Sequence, residues 1–378
     1  MSDKQSSLVD QRERIDAIDE KILELLSERN RIVKEVSERK IRNQLPIFVK
    51  EREDAKIKSF CYQAEAHDLD TDWAEDFLRM IMSASRASQS VSQFPRATDE
   101  PKHILVIGGR GAMGSLYTDI ARKTGHVTFV IDKDNWDYLD KIQSKLDMVI
   151  ISVPINRTVE VIERVSGKLN KDTILADFTS NKSEPLEAMM KAHEGPVMGL
   201  HPMHGPDVSN LSKQVMIACP GRSPDKADWF LQQCELWGMR IIKADPEKHD
   251  HVMHLVQGLR HFIALLHGSF MKTYDLKPED ILDYSSPIYR AELMMTGRIF
   301  AQDAELYADI VFSNEERREL LLSFFEHHKN LAELVKSGDK EGFIEEFEAI
   351  TDFFGYFGEQ ALEESSYLIN RLADRFAE

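Results

Sequence analysis

The chain has 378 residues, too many for one typical domain, and its length points to two or three. Apolar residues at 42% and charged residues at 30% are the fractions of a soluble globular protein, and a net charge of -17 disfavours nucleic-acid binding while leaving small anionic substrates open to a few local arginines. The start, MSDKQSSLVDQRER, has no apolar signal core, the run from Phe262 to Phe270 is too short to span a bilayer, and Cys61, Cys219 and Cys234 form no CxxC pair, so a cytoplasmic protein with reduced thiols and no membrane contact is expected.

In the first module, residues 1–91, apolar residues recur at Ile15, Ile18, Ile22, Leu25, Ile32 and Val36, the three-four spacing of one long amphipathic helix. Arg29 interrupts that seam. It is either a tolerated arginine that snorkels out or part of a buried cationic ligand site. Arg29 and Lys40 lie within about 20° of each other on the helix surface and about 16 Å apart along it, which leaves room for one small dianion. Pro46 ends this helix, Glu51-Arg52-Glu53 opens a second, and Trp73 to about Gln89 makes a third with Trp73, Phe77, Met80, Ile81 and Ala84 predicted inward and Ser85 and Gln89 on one face. A Ser/Pro-rich linker, 92–100, follows.

This three-helix module resembles the all-helical type of chorismate mutase over its whole length, on Arg12, Arg29, Lys40, Arg52, Glu53, Ser85 and Gln89. The resemblance implies that Arg12 and Arg29 hold the carboxylates of chorismate and that Lys40 and Gln89 donate to its ether oxygen. Glu53 then accepts from the ring hydroxyl, and Arg52 and Ser85 orient the substrate. Val49 stands where some relatives carry an acidic residue. A unimolecular Claisen rearrangement needs only a folded substrate and a stabilised ether oxygen, with no nucleophile or metal. Arg12 and Lys40 are 28 residues apart on one helix, hence about 42 Å, so they serve one site only if Arg12 arrives from a second chain.

The second module, 101–245, is organised around Val106 to Gly114, VIGGRGAMG. A strand, Gly109-x-Gly111-x-x-Gly114 with Met113 inside it, and a helix follow in the order of a dinucleotide-binding fingerprint. Gly109 is expected to permit the tight turn, Gly111 the approach of the pyrophosphate, and Gly114 the close packing of helix on strand. A second strand, Val127 to Ile131, ends at Asp132, 21 residues past Gly111, where a carboxylate accepts from the adenosine ribose and favours NAD over NADP. Apolar runs at 148–153, 173–178, 196–200, 215–219 and 239–244 alternate with helical stretches, which predicts a Rossmann-type doubly wound parallel sheet. Ligands sit beyond the carboxyl ends of such strands, which singles out Ser152-Val153-Pro154 for the cofactor, Ser180, and the string GLHPMHGPD from Gly199 to Asp207.

His201 at a strand end suits the base that an alcohol oxidation requires. GLHPMHGPD is similar to prephenate dehydrogenase, and with the module before it the chain resembles the bifunctional chorismate mutase/prephenate dehydrogenases across essentially its full length. The resemblance implies that His201 accepts the ring hydroxyl proton, that Ser180 hydrogen-bonds near the same hydroxyl, and that Asp207 lies beside the site. The role of His204 stays open.

The third segment, 246–378, reads as an all-helical dimerisation domain that closes the substrate cleft in the resembling enzymes. Its first helix, 249–270, is apolar around much of its circumference, as an interface helix would be; further helices are predicted at 287–300, 304–312, 315–337 and 339–376. His251 and His254 could share a helix face, but with no HExxH and no cysteine partner a metal site is not expected. SSPIYRAELMMTGRIFAQDAELY resembles the family's substrate-binding stretch, which implies that Arg298 takes the ring carboxylate of prephenate, with Tyr307 and His261 near its pyruvyl side chain. The expected activities are rearrangement of chorismate to prephenate and NAD-dependent oxidative decarboxylation of prephenate to 4-hydroxyphenylpyruvate in a homodimer inhibited by L-tyrosine. Two alternatives remain: another NAD-dependent hydroxyacid dehydrogenase with a helical dimerisation arm, and a non-catalytic NAD sensor.

Overall fold

The structure, a computed structural model, describes residues 2–89, 93–274 and 276–375, and the side chains of 8–88, 93–274 and 276–372. The chain divides into two compact units, Met1–Val153 with Arg157–Glu247, and Pro154–Asn156 with Lys248–Glu378.

In the first unit, α1 runs unbroken from Ser2 to Arg42, a stretch with neither glycine nor proline, and ends on Arg39, Lys40 and Arg42, whose charges complement the helix C-terminus. Its seam residues Ile15, Ile18, Ile22, Leu25 and Ile32 are exposed, so the stripe is present and stays uncovered in the chain. α2 (Lys50–Glu65) and α3 (Thr71–Gln89) pack through Ile57, Leu78 and Met82. The Asp70 carboxylate accepts from the Trp73 backbone N–H at 2.7 Å, capping α3. The inward face of α3 differs from the sequence reading. Ala74, Leu78, Met82 and Ser85 are buried, whereas Trp73 and Met80 are largely exposed. Two apolar stripes run side by side on this helix, and periodicity alone does not say which one the chain covers.

The turn after α1 and the segment after α3 are fastened to the next module. Ile47 and Phe94 belong to its hydrophobic core. The buried Gln233 side chain donates to Pro95 O at 3.0 Å and accepts from Ala97 N–H at 2.9 Å. The expected linker is therefore bound along its described part, 93–100; the boundary at Val91 and Ser92 lies outside the described residues.

The elements then alternate: β1 (His103–Ile107), α4 (Ala112–Lys123), β2 (Val127–Ile131), α5 (Leu139–Ile142), β3 (Met148–Ile151), α6 (Thr158–Ser166), β4 (Ile174–Asp177), α7 (Ser183–Ala192), β5 (Val197–Pro202), β6 (Val215–Pro220), α8 (Asp228–Leu236) and β7 (Arg240–Lys243). One seven-stranded sheet results, in the order β2-β1-β3-β4-β5-β6-β7. It is parallel from β2 through β5, but β6 runs antiparallel to β5, a departure from the all-parallel sheet expected. The cause is local: residues 203–214 contain no helix to carry the chain back across the sheet, so β6 returns alongside β5 in the opposite direction. The order reverses between β1 and β3, which opens the crevice where such sheets bind ligands.

The second unit is helical: α9 (Pro246–Met253), which begins at the unit boundary, α10 (Arg260–Met271), α11 (Pro278–Leu282), α12 (Pro287–Phe300), α13 (Ala304–Val311), α14 (Glu315–Ser337), α15 (Lys340–Phe354) and α16 (Tyr356–Arg375). α9 and α10 form the single helix expected, except that His254–Leu259 between them is π-helical. Gly258 in that segment passes so close to the buried Arg317 that a Cβ would stand 2.7 Å from Cδ. The last predicted helix is broken at Gly355, whose φ of +49° suits glycine. Leu255, Val256, Ile263, Leu265 and Phe270 are exposed, as are Phe347, Phe353 and Tyr356 further on. None of the helices among the described residues is long and apolar enough to cross a membrane.

Candidate active sites

Of the predicted mutase residues, Arg29 meets Ser85 of α3, and Lys40 near the end of α1 lies beside Arg52 and Glu53 of α2. Arg29 Nη1 donates to Ser85 Oγ at 2.5 Å, and that hydroxyl donates on to Ile81 O at 2.7 Å. Arg29 is half-buried, burial lowers its pKa from the ordinary value, and its bond to Ser85 directs the guanidinium toward α3. Lys40 Nζ donates to Ile47 O at 2.6 Å. Its pKa is lowered first by burial and then by the neighbouring Arg52, while Glu53 acts in the opposite direction. Arg52 itself is exposed.

Glu53 Oε1 accepts from Arg86 Nη1 at 2.5 Å, and Oε2 lies 3.4 Å from Lys213 Nζ yet is buried without a hydrogen bond. A buried carboxylate oxygen with an open lone pair is ready for a ligand hydroxyl. Arg86 was missed in the sequence, although its four-residue offset from Met82 and three-residue offset from Gln89 place it on their face. The Gln89 side chain lies outside the described side chains. Arg12 is exposed on α1, about 42 Å from Lys40 by helical rise, so the chain does not bring it to the others.

The glycine motif forms the predicted cradle with one correction. The positive φ, +82°, is at Gly108, where a Cβ would fall 2.1 Å from Ser152 O; Gly108 makes the turn. Gly109 is needed for another reason, because its Cβ would lie 2.8 Å from both Val130 methyl groups. A Cβ on Gly114 would strike Gly108 O at 2.3 Å, so the first turn of α4 packs directly on the turn after β1. Gly111 caps α4 and Met113 stands in its first turn, so the helix's free amide groups begin at the motif. Asp132 follows β2 and accepts from the Arg110 backbone N–H at 3.2 Å, while the Arg110 guanidinium pairs with Asp134 at 2.7 Å. Ser152 and Val153 follow β3 against the turn; Pro154 begins the short piece assigned to the second unit. Such a cradle fits a dinucleotide: close packing requires glycine at 108, 109 and 114, Gly111 presents bare backbone at the start of α4 where the pyrophosphate would approach, and Asp132 stands at the end of β2.

At the ends of the neighbouring strands β4 and β5, His201 is 4% exposed, and the Ser180 hydroxyl is buried with no hydrogen-bond partner. Beneath them lies a wholly buried ion pair that sequence reading missed. Lys182 Nζ bonds Asp177 Oδ2 and also donates to Leu200 O at 2.9 Å, beside His201. Removing either partner alone would strand a buried charge, at about 3–5 kcal/mol. The sequence signal was an aspartate inside the apolar run TILADF, with a lysine five residues on. Asp207 is exposed in the following loop, and His204 bonds Tyr117.

In the second unit the His261 and Tyr307 rings meet edge to face with centroids 4.8 Å apart. Burial pushes the His261 pKa down to about 4, helped by Arg260 and Arg317, so the ring is neutral; its Nδ1 is buried without a hydrogen bond. Arg298 is exposed in the last turn of α12.

Comparison with known proteins agrees with this division of labour. The family profile "Chorismate mutase type II" matches residues 11–90, "Prephenate dehydrogenase, nucleotide-binding domain" residues 117–241, and "Prephenate dehydrogenase, dimerization domain" residues 245–349. The T-protein of Haemophilus influenzae is 37% identical over 368 residues, 97% of this chain and 98% of that protein. The T-protein of Enterobacter agglomerans is 39% identical over 363 residues, 96% and 97% of the two chains. In fold, the chain resembles the prephenate dehydrogenase of A. aeolicus solved with hydroxyphenyl propionate and NAD+, at a TM-score of 0.54 and 20% identity over 67% of this chain and 96% of that one. The chain belongs to the T-protein family, the bifunctional chorismate mutase/prephenate dehydrogenases, which turn chorismate into prephenate and then, with NAD, prephenate into 4-hydroxyphenylpyruvate for tyrosine biosynthesis.

Proposed function

We propose the following division of roles, carried chiefly by the buried Glu53 Oε2 and Ser180 Oγ, two polar atoms without a hydrogen bond at the places where a substrate hydroxyl is expected. In the mutase, Arg29, fixed by Ser85, and Arg12 hold the two carboxylates of chorismate in the reactive conformer. Lys40 and Gln89 donate to the ether oxygen as its charge develops, Glu53 accepts from the ring hydroxyl, and Arg52 helps orient the ring. In the dehydrogenase, Arg298 takes the ring carboxylate of prephenate, His261 and Tyr307 flank the pyruvyl chain, and Asp207 lies beside the site. Ser180 orients the ring hydroxyl and His201 removes its proton as carbon dioxide leaves and the ring becomes aromatic. NAD, when bound, accepts the hydride. Gly109, Gly111, Met113, Gly114, Ser152, Val153 and Pro154 hold it, and Asp132 reads its ribose.

The working protein is a cytoplasmic homodimer inhibited by L-tyrosine, with modules at 1–91, 101–245 and 246–378. The exposed apolar stripes of α1 and of residues 252–270 support a second copy, since water-exposed surface of this kind is ordinarily covered. Dimerisation also brings Arg12 of one copy to Lys40 of the other. An Arg12→Ala chain and a Lys40→Ala chain should each be nearly inactive as mutases yet complement when co-folded. Half of randomly paired dimers are mixed, and each mixed dimer has one intact site, giving about a quarter of wild-type activity. Restoration of nothing would place Arg12 in its own chain's site and overturn the shared assembly.

A further inference from the structure

Glu53 is the point where the mutase module meets a charge from the module that follows it. Its Oε1 is engaged by Arg86 of α3 at 2.5 Å, and its Oε2 faces Lys213 Nζ at 3.4 Å. Lys213 is carried by residues 203–214, the segment that leaves β5 just past His201 and enters β6. Its backbone is held in place: φ is +68°, a region a residue with a side chain rarely adopts, the Lys213 N–H donates to Gly238 O at 2.8 Å, and Leu211 nearby is buried in the core. From that fixed point the side chain passes over the Phe48 ring, with the ammonium 5.1 Å from the ring centroid, and ends at Glu53.

The contact has an unusual property. Lys213 lies close enough to Oε2 for an ion pair, yet Oε2 makes no hydrogen bond, so its lone pairs stay open while the carboxylate is held from both sides. We propose that Lys213 is a positioning residue of the mutase site: by its charge it fixes the Glu53 carboxylate with Oε2 turned to accept the ring hydroxyl of chorismate. The mutase pocket is thus completed by a side chain of the dinucleotide-binding module, and residues 1–91 alone do not contain all of it. This rests on the role given above to Glu53. Lys213 is 43% exposed, so salt weakens its hold on Glu53.

The test uses the full-length chain with Lys213→Met, Lys213→Arg, Glu53→Gln and the Lys213→Met/Glu53→Gln double variant. Both activities are assayed separately, with chorismate and with prephenate plus NAD. Lys213→Met is expected to raise the KM for chorismate about tenfold with kcat within about threefold, because the hydroxyl contact is already made in the ground state. Lys213→Arg should stay within about threefold of wild type, and dehydrogenase turnover of both variants within about twofold. In the Glu53→Gln background, Lys213→Met should add nothing further, since it acts through that carboxylate. Full mutase activity in Lys213→Met beside an impaired Glu53→Gln would overturn the proposal and leave the role of Glu53 standing; so would additive losses, or equal losses in both activities. A fully active Glu53→Gln would instead overturn the reading of Glu53 itself.

Discussion

The Tyr117 hydroxyl donates to His204 Nε2 across 3.1 Å, while Nδ1 of the same ring lies 2.9 Å from Gly205 O. A carbonyl only accepts, so Nδ1 carries the hydrogen and Nε2 offers a lone pair; burial, which lowers the His204 pKa, keeps the ring neutral. With both ring nitrogens engaged, His204 anchors the loop after β5 to α4. His204→Phe should keep dehydrogenase turnover within about twofold, while leaving the buried Tyr117 hydroxyl with only the weak acceptor Met239 Sδ, 3.7 Å away, costs about 1 kcal/mol of stability. Steady-state NADH production and urea unfolding measure the two effects. A loss of turnover beyond about tenfold would put His204 in the chemistry.

Local chemistry was legible in the sequence. The spacing Gly111, Gly114 and Asp132 located the cradle, and the shared helix face of Ser85 and Gln89 pointed toward the contact Ser85 makes with Arg29. What stayed hidden depended on tertiary neighbours. Which glycine makes the turn is decided by Ser152, just past β3, so motif spacing alone points to Gly109 where the structure uses Gly108. Arg86 is 33 residues from Glu53, and Lys213 lies in a different module altogether. The Lys182–Asp177 pair is close in sequence, but that both residues are wholly buried is a property of the packed sheet. The reversed β6 was readable in principle, from the absence of a helix in 203–214.

His126 supplies a pH dependence. Its Nδ1 accepts from Lys102 N–H at 3.1 Å and its Nε2 faces Gln233 Oε1 at 3.3 Å, so the ring is bonded as a neutral tautomer. Burial brings its pKa down from 6.5 to about 4. Between these values the unfolded chain binds the proton and the folded one does not, so stability is present above pH 6.5 and lost as pH falls toward 4. Urea unfolding should show a drop from pH 7 to pH 5 that is about 1–2 kcal/mol smaller in His126→Asn than in wild type. An identical drop in both proteins would mean that His126 does not resist protonation.

The ribose end of the cradle makes a cofactor prediction. Asp132 would repel a 2′-phosphate, and Asp134 raises the pKa of Arg110 and occupies its guanidinium, which would otherwise be open to that phosphate. Asp132→Ala should erode the preference for NAD over NADP about tenfold or more, and adding Asp134→Ala should erode it further by releasing Arg110. The ratio of kcat/KM for the two cofactors reports this. A ratio unchanged in Asp132→Ala would show that this carboxylate does not read the ribose.

In the proposed mechanism one chain performs both reactions in succession, with His201 the proton acceptor of the second. Its most direct test supplies chorismate and NAD to the wild-type chain and to His201→Asn, following chorismate loss, NADH and 4-hydroxyphenylpyruvate together. Wild type should yield NADH and 4-hydroxyphenylpyruvate in equal amounts. His201→Asn should consume chorismate at a near-normal rate and accumulate prephenate, with NADH production lower by about two to four powers of ten. Unimpaired NADH production by His201→Asn, or loss of both activities at once, would overturn the role of His201.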